Sequence, residues 1–201
     1  MIPVQQLENY YFPISLEIDH NRLLEDLDTL LSRLGLSNED IEKKCKNDSI
    51  GFAINLTHLS TLTDNDRWEK YVEGHGHLRN IGVNEFYFTE HLKETQDLYL
   101  GQLIHQLYKH HSKSFQGRVQ LIWLGPKKKY HFHIDLHTPH RYHIPLITNE
   151  DCYWILKNKN EVYKLHMPTG NVWYVDPINI EHTFVNDSES VRLHLILTSG
   201  I

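Results

Sequence analysis

Apolar residues along this chain change their spacing near the middle. In the first half they recur every three or four positions. Leu23, Leu24, Leu27, Leu30, Leu31 and Leu34 line one face of a helix predicted over residues 21–36, with Gly35 as its stop. Ser37 is a candidate N-cap for a short second helix running to Cys45. Leu98, Leu103, Ile104 and Leu107 predict a longer helix over residues 89–111. Residues 50–57 and 85–88 are strand candidates between these helices.

In the second half the period shortens towards two. Runs rich in β-branched and aromatic residues predict strands at 118–124, 130–136, 141–148, 152–157, 161–165, 171–175, 182–185 and 191–198. Turn formers separate them, among them Gly125-Pro126, Thr138-Pro139, Pro168-Thr169-Gly170 and Asp176-Pro177. Many short strands with short connections predict an antiparallel barrel or double-sheet jelly roll, so the fold class expected is mainly β with a helical N-terminal layer. No repeat, low-complexity tract or linker interrupts the chain. One domain over residues 1–201 is expected, with a helical, mixed layer at 1–117 on a β core at 118–198.

Composition narrows the function classes. With 40% hydrophobic and 23% charged residues in 201, the chain can bury a core. A formal net charge of -6 argues against a nucleic-acid surface, and Lys127-Lys128-Lys129 reads as a solvated turn. No apolar run reaches the length of a membrane span, and residues 1–11 do not have the pattern of a secretory signal. Cys45 and Cys152 are far apart and form no CxxC, as in a reduced, cytoplasmic protein. The pattern leaves the oligomeric state open. The sixteen histidines are the anomaly.

Position resolves part of that anomaly. On a strand, His131, His133 and Asp135 share a face, so His133 and Asp135 can present an imidazole and a carboxylate to one ion. A third ligand must come from another strand, and His182, 47 residues after Asp135, opens one. Two histidines and one carboxylate with open positions are the ligand set of non-haem Fe(II) oxygenases. Ten residues beyond His182, Arg192 interrupts an apolar strand whose other face is Val191, Leu193, Leu195 and Leu197. A guanidinium buried there needs an anionic partner, and its planar fork suits a carboxylate. His194 shares its face. For the other histidines bland roles weigh more: a loop for His75 and His77, a helix C-terminus for His110 and His111, and surface or site-rim positions for His131, His137 and His140. Trp154 and Trp173 read as core.

His133-x-Asp135, a distal His182 and Arg192 ten positions on form a pattern similar to that of 2-oxoglutarate-dependent dioxygenases. The run Arg141-Tyr142-His143-Ile144-Pro145-Leu146 narrows the resemblance to the aspartyl/asparaginyl β-hydroxylase-like group, which includes relatives acting on free amino acids such as proline. It covers residues 118–198. The resemblance implies a double-stranded β-helix of cupin-like form that uses Fe(II), 2-oxoglutarate and O2 to hydroxylate an unactivated C–H bond. It implies His133, Asp135 and His182 as iron ligands, Arg192 as anchor of the 2-oxoglutarate carboxylate and His143 beside it. Some aspartyl β-hydroxylases have glycine where this chain has Asp135, which weakens transfer of their protein substrate. Arg141, two positions from His143, is the candidate anchor for a substrate carboxylate. The expected substrate is therefore a free amino acid or small carboxylic acid, rather than an aspartyl, asparaginyl or prolyl residue of a polypeptide. A cupin-like metal protein that is not an oxygenase is the remaining alternative.

Overall fold

The computed structural model describes residues 10–47, 51–59, 85–111, 115–135, 140–158 and 161–200. Its elements in chain order are β1 (Tyr11–Ile14), α1 (His20–Arg33), α2 (Asn38–Asn47), β2 (Phe52–Asn55), β3 (Thr57–Leu59), β4 (Phe88–His91), α3 (Tyr99–His111), β5 (Phe115–Leu124), β6 (Lys128–Lys129), β7 (His140–Ile147), β8 (Cys152–Asn158), β9 (Glu161–Leu165), β10 (Val172–Val175), β11 (Glu181–Asn186) and β12 (Arg192–Gly200). Short 3-10 turns at Glu85–Tyr87 and Lys93–Thr95 flank β4.

Local signals start and stop the first two helices. The Asp19 carboxylate accepts from the Arg22 N–H at the head of α1. At its tail Gly35 takes a φ of +67°, while Leu36 N–H donates to Leu31 O at 2.9 Å and Gly35 N–H to Ser32 O at 3.0 Å. That is a Schellman closure, and its left-handed residue is the glycine. Ser37 caps α2 reciprocally: its hydroxyl accepts from Asp40 N–H at 3.1 Å, and the Asp40 carboxylate accepts from Ser37 N–H at 2.9 Å.

The strands form two facing antiparallel sheets. The larger has the order β1-β10-β7-β12-β5-β2 and the smaller β6-β11-β8-β9; β3 and β4 make a separate pair. The architecture is a double-stranded β-helix, or jelly roll, with helices outside. Alternation along three central strands sorts their side chains. Val119, Leu121 and Trp123 of β5, Tyr142, Ile144 and Leu146 of β7, and Leu193, Leu195 and Leu197 of β12 join one core with Leu23, Leu27, Leu30 and Leu31 of α1 and Leu100, Leu103, Ile104 and Leu107 of α3. The opposite faces of the same strands carry Arg118 and Gln120, Arg141 and His143, and Arg192, His194 and Thr198, all buried. A second core of Trp154, Leu156, Met167, Val175 and Ile180 lies between the sheets. Polar groups thus line one end of the space between the sheets, and apolar groups close the rest.

Two expectations need correction. The long helix does not begin near residue 89: Phe88–His91 pairs with β3, Leu92 N–H donates to Leu56 O at 2.9 Å, and α3 starts at Tyr99. Pairing with the distant β3 captured Phe88–His91, and that tertiary contact overrode the local helical preference. Residues 130–135 are extended but do not form a continuous strand. They touch β11 at separate points: Tyr130 N–H to Phe184 O at 2.9 Å and an isolated His133–His182 bridge. Leu136, the last residue of that expected strand, lies outside the described residues. β1 carried no alternating pattern. It is an edge strand with Pro13 opposite Trp173, a place where a missing N–H is tolerated.

Gly101 gives a test of the helical layer. Helix propensity alone favours alanine there by about 1 kcal/mol. A Cβ at Gly101, however, would lie 2.2 Å from the backbone oxygen of Thr95, so α3 or the preceding turn must move. Gly101→Ala is expected to lower the midpoint of thermal or urea unfolding. A raised midpoint would show that the contact yields easily.

Candidate active site

The irregular arm after β6 and the first residue pair of β11 bring the metal-ligand candidates together. His133 and His182 exchange backbone hydrogen bonds, His133 N–H to His182 O at 3.0 Å and His182 N–H to His133 O at 2.9 Å. Asp135 N–H donates to Pro177 O at 3.0 Å, which fixes the arm against the β10–β11 connection. One potential ligand atom from each of His133, Asp135 and His182 lies within 4.8 Å of the others. Nε2 of His133 is 3.6 Å from Oδ1 of Asp135.

Backbone carbonyls set the histidine tautomers. His133 Nδ1 lies 2.9 Å from His131 O, and His182 Nδ1 lies 3.0 Å from Ile180 O. A carbonyl only accepts, so each Nδ1 carries the proton and each Nε2 keeps its lone pair for a metal. Burial, then the neighbouring His133 ring, pushes His182 down to about 4, and burial likewise lowers His133. Both rings are therefore neutral near pH 7, the form that binds metal. Trp154 stacks on His182 at 5.0 Å between centroids and 19° between planes, which holds the ring from its face. Two neutral imidazoles and one carboxylate fit a divalent first-row ion with open positions.

Behind these residues lies a chain of buried charges. Arg141 of β7 is 3.1 Å from Asp135 Oδ2 and 3.6 Å from Glu85 Oε1. Glu85 also pairs with Arg118 of β5 and accepts from the Thr198 hydroxyl at 2.9 Å. Burial alone would raise the Glu85 pKa, but the two guanidiniums outweigh it and hold the carboxyl below its ordinary value. The two cations and two carboxylates therefore balance. Arg141 Nε is buried with no acceptor among the described residues, so none of these occupies that edge of the guanidinium.

Arg192 is in a different situation. It is 2% exposed at the start of β12, stands 4.8 Å from the centroid of the Phe184 ring, and has no carboxylate partner among the described residues. Burial lowers it to about 9, partly offset by the Cys152 sulfur, so it is still a cation near pH 7. The loop before it is pinned by Asn186, whose amide donates to Leu124 O at 3.0 Å, Gly125 O at 3.0 Å and Ser190 O at 2.8 Å. His143 of β7 is completely buried, has no hydrogen bond to either ring nitrogen among the described residues, and packs edge-on to Trp154 at 4.8 Å and 5.9 Å from the His194 ring. Trp154 Nε1 and His194 Nε2 also lack acceptors among the described residues. Polar hydrogens that are orphaned and buried are rare, and here they cluster around one unmatched cation.

Every candidate named from the sequence is thus in or beside one site: His133, Asp135 and His182 together, Arg141 against Asp135, and His143 and Arg192 between the sheets. Glu85 and Arg118 escaped sequence reasoning. Arg118 carried the same signal as Arg192, a cation alternating with apolar residues on a strand; Glu85 carried none. Trp154 is core, as read, but also a wall of the site. His131 is exposed and stacks on Tyr130, and His140 bonds the Tyr174 hydroxyl. His75, His77 and His137 lie outside the described residues, as do the side chains of His110 and His111. No described helix is long and apolar enough to cross a membrane.

Solved structures share this architecture. An oxidoreductase of the 2OG-Fe(II) oxygenase family from Burkholderia pseudomallei is similar with a TM-score of 0.54 and 15% identity, over 96% of this chain and 86% of that one. A prolyl-4-hydroxylase from Pseudomonas putida is similar with a TM-score of 0.53 and 8% identity, over 98% and 97%. At these identities the likeness is one of fold. No curated protein matches by sequence. The family model for aspartyl/asparaginyl β-hydroxylase matches residues 25–199, a span that runs from α1 to the end of β12 and contains every residue of the site described above. The chain belongs to the aspartyl/asparaginyl β-hydroxylase family and is a 2-oxoglutarate-dependent hydroxylase.

Proposed function

We propose that the chain hydroxylates a free amino acid or a similarly small carboxylic acid, with Fe(II) held by His133, Asp135 and His182. The observation that carries the ligand assignment is the convergence of two neutral histidines, each with Nδ1 committed to a carbonyl, and one carboxylate. Fe(II) so held, with 2-oxoglutarate and O2, supplies the oxidising power that converts a C–H bond to C–OH. The protein's part is placement and exclusion of water. The uncompensated Arg192 cation receives the distal carboxylate of 2-oxoglutarate, and His143 stands beside it. Trp154 and Phe184, 3.9 Å apart between centroids, form an apolar wall that keeps water from the cosubstrate.

Arg141 supports the small-substrate reading. One of its amino groups orients Asp135, while its buried Nε–H has no acceptor among the described residues. A substrate carboxylate would complete that guanidinium, and every free amino acid carries one. The family name favours the second reading, an aspartyl or asparaginyl side chain of a polypeptide. Succinate release across free amino acids, proline first, and across matching peptides separates the two. Turnover of peptides alone would overturn the small-substrate reading.

Three variants test the roles. His182→Ala should weaken Fe(II) binding by more than about a hundredfold, beyond what loss of a supporting hydrogen bond to a ligand costs. Equilibrium dialysis with iron analysis measures this, and unaltered stoichiometric binding would remove His182 from the ligand set. Arg192→Ala deprives the cosubstrate of a buried charge partner, a loss of roughly 2–5 kcal/mol. The KM for 2-oxoglutarate should rise steeply while iron content stays close to that of the parent protein; loss of iron with unchanged KM contradicts the assignment. Arg141→Gln should raise the KM for the amino-acid substrate far more than that for 2-oxoglutarate. An equal KM for substrate would leave Arg141 as a partner of Asp135 only.

A further inference from the structure

His194 lies two residues after Arg192 on β12, on the same inner face. An Arg192 amino group is 2.8 Å from His194 Nδ1. A guanidinium has donors only, so Nδ1 is the acceptor and carries no proton. Burial first, and then the adjacent Arg192 charge, holds the imidazole pKa well below its ordinary value, so the ring is neutral. Its single proton is therefore on Nε2. That N–H belongs to a residue 1% exposed and has no acceptor among the described residues. The cross-strand neighbours of His194 are Ile122 and Pro145, whose side chains offer none. A neutral ring with one nitrogen committed to Arg192 and the other presenting a buried, unused N–H is poised for an anionic acceptor.

We propose that His194 is a second binding residue for the carboxylate that Arg192 anchors, donating from Nε2, and that Arg192 holds it in the tautomer this requires. The inference rests on the reading of Arg192 as the cosubstrate anchor. One carboxylate can accept from both, because its two oxygens offer about four lone-pair directions. Arg192 has two effects here. It donates to the ligand directly, and by occupying Nδ1 it turns the neighbouring imidazole into a donor. His194 in return restricts the guanidinium to one orientation before the ligand arrives, which reduces the ordering needed on binding.

Two substitutions divide these effects. In His194→Asn the side-chain oxygen can still accept from Arg192 near the place of Nδ1, but the distal donor is gone. In His194→Gln the amide nitrogen reaches the place of Nε2 and can donate. Calorimetric titration of 2-oxoglutarate into the anaerobic Fe(II) protein should show His194→Asn weakened roughly ten- to a hundredfold, the scale of one hydrogen bond to a charged group. His194→Gln should retain more affinity than His194→Asn, and Fe(II) binding should stay the same in both. Nitrogen NMR of the histidine-labelled Zn(II) protein gives a readout independent of activity and of any variant's folding. The His194 signals should show the proton on Nε2, and that N–H resonance should move when 2-oxoglutarate is added. A proton on Nδ1, an Nε2–H signal indifferent to 2-oxoglutarate, or parental affinity in His194→Asn would overturn the proposal. Arg192→Lys, measured alongside, separates the two levels: weakened binding there with none in His194→Asn removes only His194, whereas parental binding in both removes Arg192 as the anchor.

Discussion

Arg192 keeps a positive charge between two β-sheets with no carboxylate of the described residues to match it. Keeping an ion in that state costs several kcal/mol, and the rest of the fold has to outweigh it. The opposite faces of the same strands do so. Eight leucines and isoleucines of α1 and α3 pack on the outer residues of β5, β7 and β12, each contributing roughly 1.5–3 kcal/mol on full burial. The helical layer thus makes a polar interior affordable, and strand alternation keeps the two environments on opposite sides of one sheet.

The second set of interior charges obeys a different rule. Arg118, Arg141, Glu85 and Asp135 are mutually compensated, and Thr198 supplies a further donor. This network ties sequence-distant segments together: the turn before β4, three strands of the large sheet, and the arm that carries Asp135. It holds the carboxylate in place before any ion arrives. Arg192 has no carboxylate partner among the described residues. Compensated charge gives rigidity at one end of the cavity, and an unmatched buried cation can give affinity for an anion at the other.

The arm that bears His133 and Asp135 departs from regular strand geometry at these two candidate ligands. A full ladder against β11 would have imposed a fixed spacing on both side chains. Isolated contacts at Tyr130 and His133, with Asp135 turned to Pro177, let an imidazole and a carboxylate converge on the same point as His182. Backbone carbonyls at His131 and Ile180 then choose the tautomers, so main-chain geometry leaves each Nε2 lone pair available to a metal.

Much of this was legible in the sequence because the signals are local. Helix spacing, the Gly35 stop and the Ser37 cap act within a few residues, as does the alternation of β12 that singled out Arg192 and its face-mate His194. The spacing of His133, Asp135 and His182 was legible for the same reason: each lies on a short extended segment whose order along the chain is plain. The structure alone decided that Phe88 and Leu92 pair with a distant strand, that Pro13 lies in an edge strand, and that Glu85 bridges Arg118 and Arg141. It also decided which nitrogen of His194 bonds Arg192. These depend on contacts between residues far apart in the chain, whose energies exceed local preference and leave no periodic trace in either partner's own segment.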